Sequence, residues 1–207
     1  MEEKERQRTM INWILALVII LWIYILTVLK RARLDFWFFT LGSAGLFTIA
    51  IIVLQPLLLM PMQNAIAAVS GLLGNLTNTY TSYFEKGLLF ISHGTTQMAL
   101  YIDFECTGII ETFAFLSLLW FFPAYQFYEK IAVSVVGIIS IFMANVLRIF
   151  IISQIIYWFG SNSYFVAHSF VGRLVFYAIT LVLYFYVFTR SQVVRQKVGA
   201  FRYDDIK

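Results

Sequence analysis

The hydrophobic positions of the chain fall into long runs that short polar stretches separate. A helix needs about 20 predominantly apolar residues to cross the bilayer core, because each residue advances it by about 1.5 Å. Four runs come close to that length and a fifth is shorter: 11–29, 36–60, 131–159, 171–189 and, the shortest, 107–122. The pattern predicts an all-α fold, a polytopic transmembrane helix bundle of about five or six spans, in which residues 1–207 form a single integral membrane domain.

Residues 61–100 have a different pattern. They are moderately apolar, but Gly, Asn and Thr residues interrupt them and Pro61 begins them. Irregular backbone at membrane depth is tolerated only where protein or a water-filled cavity satisfies its polar groups. We therefore interpret residues 61–100 as interfacial or re-entrant helices. Another full span in this region would move the N-terminus to the inner side of the membrane.

The composition is that of a membrane protein, because 61% of the residues are hydrophobic and 13% are charged, against about a quarter charged in ordinary soluble domains. Cys106 is the single cysteine, which excludes an intrachain disulfide and a cysteine-rich metal site. No paired histidine or cysteine spacing indicates a metal, and we expect no cofactor. The short basic C-terminal tail follows a predicted span directly, which favours contact with anionic membrane lipid over nucleic acid.

Lysines and arginines of the short loops predict the orientation, because they are concentrated on the cytoplasmic side of membrane proteins. They are present in loop 30–35 and in the C-terminal tail, whereas residues 61–106 contain only Lys86 and residues 160–170 contain none. We expect loop 30–35 and the tail inside, and the other two regions outside. Five spans then leave the N-terminus outside, and its own charges, which are of both signs, favour neither side.

Three chemically versatile side chains are predicted at one depth near the outer face. Cys106 opens the run 107–122 at its outer end, and His168 stands in the outer loop before the last run. Arg148 follows the inner start of its run by 17 residues, which is about 26 Å along a helix and near the outer edge of a core about 30 Å thick. This agreement in depth does not depend on which side of the membrane is outside.

Each of the three residues has an ordinary interpretation and a functional one. Cys106 is an inert core thiol, a lipidation site or a nucleophile whose thiolate a helix N-terminus and a cation stabilise. Arg148 either extends to the interface or functions inside the membrane, where Asn145, one turn earlier, is placed to orient it. His168 is a plain loop histidine or a proton carrier. We interpret His93 as a plain loop histidine.

Three carboxylates surround the cysteine in the sequence. Asp103, Glu105 and Glu111 form a charge cluster at an aqueous entrance, a cation site or a set of partners for Arg148 and Arg173. Only Glu111 lies inside an apolar run. We therefore expect Glu111 to pair with an arginine.

Three short blocks of sequence contain these residues: Cys106-Thr107-Gly108, Asn145 to Ile149, and His168 to Gly172. Their order, their spacing across successive helices and their common depth resemble the signature of the exosortase/archaeosortase family of membrane-embedded cysteine transpeptidases. The resemblance implies a catalytic core at residues 101–173.

The resemblance also implies a reaction. Cys106 would attack the scissile carbonyl carbon of a substrate protein and form a thioester acyl-enzyme. His168 would give a proton to the departing amine and then deprotonate the incoming nucleophile, while Arg148 would stabilise the oxyanion. Five residues are expected to support these three: Asn145, Gly108, Gly172, Glu111 and Glu105.

The implied partners are exported proteins with a C-terminal sorting signal and a transmembrane anchor. The enzyme would cleave this signal at the extracytoplasmic face of the cell membrane and transfer the protein to a surface acceptor. Two other interpretations stay open. One is an ion- or proton-coupled transporter or channel subunit with a path through Glu111, Arg148 and Asp103, which predicts function that survives Cys106→Ala. The other is a membrane scaffold without activity.

Overall fold

The computed structural model describes residues 2–93 and 96–190. Its α-helices are α1 (Glu2–Arg31), α2 (Asp35–Thr77), α3 (Ile109–Phe121), α4 (Phe127–Phe159), the single turn α5 (Tyr164–Val166) and α6 (Gly172–Tyr184). Helices α1, α2 and α4 and the helical stretch 161–190 are long and apolar enough to cross a membrane, and α3 is a shorter apolar helix. The predicted helical membrane bundle is confirmed, but in the described part of the chain four helices, rather than five or six, have the length of a full span.

The helical stretch 161–190 changes its hydrogen-bonding pattern along its length. It begins with a 3₁₀ turn at Ser161–Ser163, and π-helical segments at Ala167–Val171 and Phe185–Arg190 precede and follow α6. The predicted span 171–189 is therefore part of a longer helical stretch that starts before His168. His168 lies in a helix, so its predicted position in a loop is wrong. The basic tail that was predicted to contact lipid, residues 191–207, lies outside the described residues.

The helix ends that flank the basic loops come together. The indole N–H of Trp22 donates a hydrogen bond to the Leu41 carbonyl oxygen at 2.9 Å, which joins α1 to α2. The rings of Trp22 and Phe121 pack edge to face, and the Tyr125 hydroxyl donates to the Val187 carbonyl oxygen at 2.6 Å. We call this side of the bundle the basic end, because it carries Lys30, Arg31, Arg33, Lys130 and Arg190.

Helix α2 is far longer than a membrane span. Its 43 residues measure about 64 Å, roughly twice the thickness of the bilayer core. The predicted span 36–60 forms its first half, and Pro56 and Pro61 lie inside the helix rather than at its end. The helix ends at Thr77, where Asn78 adopts a left-handed conformation and its N–H bonds back to the Asn75 carbonyl oxygen. The second half of α2 supports the segment that follows.

Strands within residues 80–93 and 96–101 form an antiparallel sheet, so the predicted interfacial or re-entrant helices are wrong for this part of residues 61–100. The strands β1 (Tyr80–Tyr83), β2 (Leu88–His93) and β3 (Thr96–Tyr101) lie side by side in that order. Leu89 and Ile91 are buried, whereas Phe90 between them is exposed. This period of two is typical of a strand in a sheet with one covered face.

The sheet packs on the second half of α2 through polar contacts as well as apolar ones. The Tyr80 hydroxyl donates to the Ser70 carbonyl oxygen, and the Ser82 hydroxyl donates to the Ala67 carbonyl oxygen, each at 2.7 Å. The polar residues that interrupt the hydropathy of this region therefore satisfy hydrogen bonds inside a folded unit. We call the sheet together with residues 61–77 of α2 the cap.

The core of the cap continues into α4 and includes the cysteine. Buried Leu89 and Ile91 of the sheet belong to one apolar cluster with Ile149 and Ile152 of α4, and Cys106 is part of the same cluster. Cys106 therefore lies where the cap meets the membrane helices.

Candidate active site

Cys106 lies in a short turn directly before α3. The turn Phe104–Cys106 is 3₁₀-helical, and the carboxylate of Asp103 caps it by accepting a hydrogen bond from the Phe104 N–H at 2.7 Å. The N–H of Cys106 donates to the Asp103 carbonyl oxygen at 2.8 Å. Cys106 is only 1% exposed. This thiol turn, residues 103–106, thus holds the sulfur inside the contact between cap and membrane helices.

Glycines bring two of the sequence blocks close to α4. Gly108 has a φ of 69°, a left-handed conformation in which a β-carbon is unfavourable. A β-carbon there would also collide with the side-chain amide nitrogen of Asn145 on α4. At Gly172, a β-carbon would lie 2.7 Å from Cδ1 of Ile152. Both glycines therefore permit a close approach that any larger residue would prevent.

The imidazole of His168 contacts the thiol. Nε2 of His168 lies 3.3 Å from Sγ of Cys106, within hydrogen-bonding distance for sulfur. His168 belongs to the π-helical segment Ala167–Val171, and π segments inside helices are frequent at functional sites. Tyr164 stacks on the imidazole, with ring centroids 5.4 Å apart and planes 24° from parallel. The tyrosine ring therefore restricts the orientation of the imidazole.

Arg148 is buried beside the thiol turn. It is 3% exposed, and α4 continues beyond it to Phe159. Nη1 donates to the Glu105 carbonyl oxygen at 3.2 Å, and the guanidinium carbon lies 5.9 Å from the centroid of the Phe176 ring. Nε and Nη2 have no hydrogen-bond partner among the described residues. A buried guanidinium with unused donors is unfavourable unless a ligand or a water molecule accepts hydrogen bonds from it.

The structure thus brings Cys106, Arg148 and His168 together, as their common depth predicted. A sequence profile of the transmembrane exosortase family (Exosortase_EpsH) matches residues 5–186 of the chain. The chain belongs to the transmembrane exosortase family. No curated protein and no solved structure matches the chain significantly. Exosortases are cysteine-dependent transpeptidases, so membership supports a membrane transpeptidase-type function in general.

Burial dominates the electrostatics of the exosortase thiol. Burial raises the pKa of Cys106 above its ordinary value, and the positive charge of Arg148 opposes this rise only in part. The carboxylates of Asp103 and Glu105 add to the rise in pKa. The sequence suggested a thiolate stabilised by a cation, but the raised pKa favours a protonated thiol in the resting site. The contacting His168 is the group placed to accept that proton.

The predicted carboxylates occupy separate positions in this exosortase. Glu105 forms an ion pair with Arg173 at 3.1 Å, and both side chains are exposed, so the pair adds little stability. Glu111 forms no ion pair within residues 2–93 and 96–190, so the expected pairing with an arginine is wrong. It instead lines a cavity of about 340 Å³ together with Arg148 and Arg173.

Asn145 was expected to orient Arg148, but its side chain makes no hydrogen bond to it in the described part of the exosortase. Asn145 is fully buried, and neither Oδ1 nor Nδ2 has a hydrogen-bond partner among the described residues. Its amide packs against Gly108 instead. Asn145 therefore contacts the start of α3 rather than the guanidinium.

Tyr164 contacts the imidazole, although no motif of the sequence marks it as a site residue. Its only signal was its position one helical turn before His168, where two side chains on a helix meet. His93 lies at the end of β2, where it pairs with Thr96 of β3, and its side chain lies outside the described structure. In the described ranges, no group of three or more His, Cys, Asp or Glu side chains is placed to hold a metal ion.

Proposed function

We propose that this exosortase is a membrane-embedded cysteine transpeptidase in which Cys106 is the nucleophile, His168 the acid and base, and Arg148 the oxyanion contact. The observation that carries the proposal is the 3.3 Å contact between Cys106 Sγ and His168 Nε2. It lies beside a buried guanidinium with two nitrogen donors unused. A thiol in contact with an imidazole is the arrangement that an activated cysteine nucleophile requires.

Acylation begins with a proton transfer. Nε2 of His168 accepts the proton of Cys106 Sγ, and the resulting thiolate attacks the scissile carbonyl carbon of the substrate. The carbonyl oxygen becomes an oxyanion that the unused donors of Arg148 stabilise. The carbon–nitrogen bond then breaks, the leaving amine takes the proton from His168, and a thioester remains on Cys106.

Deacylation transfers the substrate from Cys106 to an acceptor. An acceptor nucleophile gives its proton to His168 and attacks the thioester carbon, the carbon–sulfur bond breaks, and His168 returns the proton to the departing sulfur of Cys106. Water as the acceptor gives hydrolysis, and an amine or hydroxyl of a surface molecule gives transpeptidation. The Glu105 carbonyl oxygen holds Arg148, and Gly108, Gly172 and Asn145 hold the three blocks together around α4.

The site faces the extracytoplasmic side of a multi-pass membrane protein. The thiol turn precedes α3, whose other end at Phe121 packs at the basic end of the bundle. Concentrated lysines and arginines mark the cytoplasmic side, so the opposite end faces outward. The substrates are exported proteins anchored by a C-terminal apolar span, because only a bond held at this height can reach the thiol.

The test compares exported proteins in cells that express wild type or Cys106→Ala at equal levels. Intact masses should show proteins that lose a C-terminal anchor in wild-type cells and retain it in Cys106→Ala cells. Ser161→Ala, a change at an exposed position of the outer turn, serves as the control and should leave processing intact. Identical masses in wild-type and Cys106→Ala cells would contradict the proposal and would favour the transporter interpretation instead.

A further inference from the structure

Helices α3 and α6 both pack against α4 and leave space between them. One core cluster joins the three helices and contains Phe115 and Leu119 of α3, Ile141 and Ala144 of α4, and Phe176 of α6. Outside this cluster, two cavities lie along the same pair of helices. One is next to the thiol turn, and the other lies toward the basic end.

The cavity next to the thiol turn is polar, and we call it the chamber. It measures about 340 Å³ and is lined by Glu105, Ile110, Glu111, Arg148, Arg173 and Tyr177. Glu105 belongs to the thiol turn, so the chamber adjoins the nucleophile, which is itself almost completely buried. Arg148 and Arg173 both line this space, and a guanidinium carries several N–H donors. The chamber therefore has the donors that a peptide carbonyl oxygen needs.

The second cavity is apolar, and we call it the anchor groove. It measures about 680 Å³, and its lining includes Leu118 and Phe122 of α3 and Leu181 and Phe185 at the end of α6 and just beyond it. Leu181 is 73% exposed. From Arg173 at the chamber to Thr189 in the groove the helix advances about 24 Å, close to the roughly 30 Å of the bilayer core. The two cavities together thus extend along most of a membrane span.

We infer that the anchor groove binds the transmembrane helix of the substrate, while the chamber receives the polar residues next to that helix. The inference rests on the proposed function, because it takes the substrate to be membrane-anchored. A helix in the groove would run alongside α3 and α6 and deliver the residues at its outer end to Arg148 and the thiol turn. The substrate helix is continuous with the segment that contains the scissile bond, so the groove that binds this helix must lie in line with the chamber. The anchor groove does.

A second apolar cavity provides an internal comparison. It measures about 470 Å³ and lies between α3 and the first two helices, with Trp22, Leu46, Leu54 and Phe113 in its lining. None of its lining residues belongs to the thiol turn or the chamber. A helix bound there would have no direct connection to Arg148. The anchor groove is therefore the one that we assign to the substrate.

The test is photocrosslinking in membranes with the full chain in its Cys106→Ala form, which binds without turnover. A benzophenone amino acid replaces Leu181 in the anchor groove, Leu54 in the comparison cavity or Val135, which is exposed on α4. Val135 is the control, because it lines none of the three cavities described above and lies, like Leu181, in the basic half of its helix, about 8 Å from Lys130 against about 14 Å from Arg190 for Leu181. The probe is a co-expressed reporter with an exported domain, a polar segment, an apolar span of about 20 residues and a basic inner end.

The expected result is a crosslink to the reporter from Leu181 that is at least several-fold stronger than from Val135 or Leu54. Equal crosslinking from the three positions, or a Leu181 adduct with lipid only, would overturn the assignment. Crosslinking detects binding of the reporter and does not require the reaction. Failure of the docking assignment can therefore be distinguished from failure of the proposed reaction. If Leu181 crosslinks preferentially but processing is unchanged in Cys106→Ala, the proposed reaction is contradicted and the docking site is supported. If processing depends on Cys106 but Leu181 shows no preferential crosslink, only the docking site is contradicted.

Discussion

At the scale of single residues, the unused donors of Arg148 are the feature that most needs a ligand. One guanidinium nitrogen reaches the Glu105 carbonyl oxygen, while Nε and Nη2 remain without a partner among the described residues. Buried N–H donors of a charged group lower the stability of the fold when they have no hydrogen-bond partner. A carbonyl oxygen that becomes an oxyanion during reaction would satisfy these donors most strongly at the moment of catalysis.

Arg148→Lys should lower processing by about 10²–10³-fold, the loss typical when an oxyanion donor is removed. Lysine keeps the positive charge but lacks the planar fork, so it cannot reach the Glu105 carbonyl and an oxyanion together. The rate of anchor removal at equal expression measures the effect, and Arg33→Lys in the first loop is the control. Near-wild-type processing by Arg148→Lys would remove Arg148 from the catalytic residues.

The raised pKa of Cys106 predicts how fast the thiol reacts with a small neutral alkylating reagent as pH changes. The midpoint of this rate should lie above that of an ordinary cysteine, because burial disfavours the thiolate. Arg148→Gln should move the midpoint further up, since the arginine lowers the pKa, and Glu105→Gln should move it down, since this carboxylate raises it. Shifts of the opposite sign, measured by mass spectrometry of the alkylated chain, would contradict the electrostatic description.

The sequence predicts the depth of each site residue in the membrane, but it does not predict which side chains touch each other. Residue counts along apolar runs placed Cys106, Arg148 and His168 at one height, and the structure brings them together. The stacking of Tyr164 and the missing bond between Asn145 and Arg148 depend on how the helices rotate about their axes. The π-helical segment Ala167–Val171 has a wider turn than an α-helix, so it shifts these directions away from those that an ordinary helical period predicts.

At the scale of elements, the cap shows why hydropathy alone does not predict a small sheet. The three strands have at most six residues each, so a window long enough to find a membrane span averages over them. Buried Leu89 and Ile91 alternate with the more exposed Leu88 and Phe90, but all four residues are apolar, so the residue types of this strand carry no period of two. The sequence also hides the length of α2, because Pro61 predicts the start of a different segment but lies inside the helix.

Two glycines with positive φ allow the cost of backbone strain to be distinguished from the cost of lost close packing. Gly108 and Gly87 have φ of 69° and 61°, but only at Gly108 does a β-carbon collide with a neighbour, Asn145. Alanine at either position should cost about 1–2 kcal/mol for the left-handed conformation, and Gly108→Ala should lose more stability and most processing. Thermal unfolding in detergent measures the difference, and Asn145→Ala should partly restore the Gly108→Ala chain. Equal shifts in Tm for the two alanine variants would contradict the packing role of Gly108.

At the scale of the whole molecule, the protein is a membrane helix bundle with a cap at the end opposite its basic loops. The core of the cap reaches down to Cys106 and to α4, so the site lies at the boundary between the two. This arrangement keeps the thiol out of bulk water while the chamber beside it stays polar. It also ties the proposed activity to one orientation in the membrane.

The orientation predicts which positions an impermeant maleimide can label in intact cells. In a Cys106→Ala background, cysteines at exposed Ser161 and Thr81 should react from outside, and one at exposed Ala32 in the first loop should react only after permeabilisation. The reason is the concentration of lysines and arginines at the basic end. The reverse labelling pattern would place the cap and the active site in the cytoplasm.

The most direct test of the central claim is to look for the acyl-enzyme itself. The wild-type chain, purified under acid quench from cells in which it processes substrates, should carry a substrate fragment on the peptide that contains Cys106, and hydroxylamine should release it as expected of a thioester. The His168→Ala chain should carry little or none, because the thiol is then not deprotonated. Mass spectrometry that finds Cys106 unmodified in the wild type while anchor removal continues, or finds the substrate attached to another residue, would contradict the account.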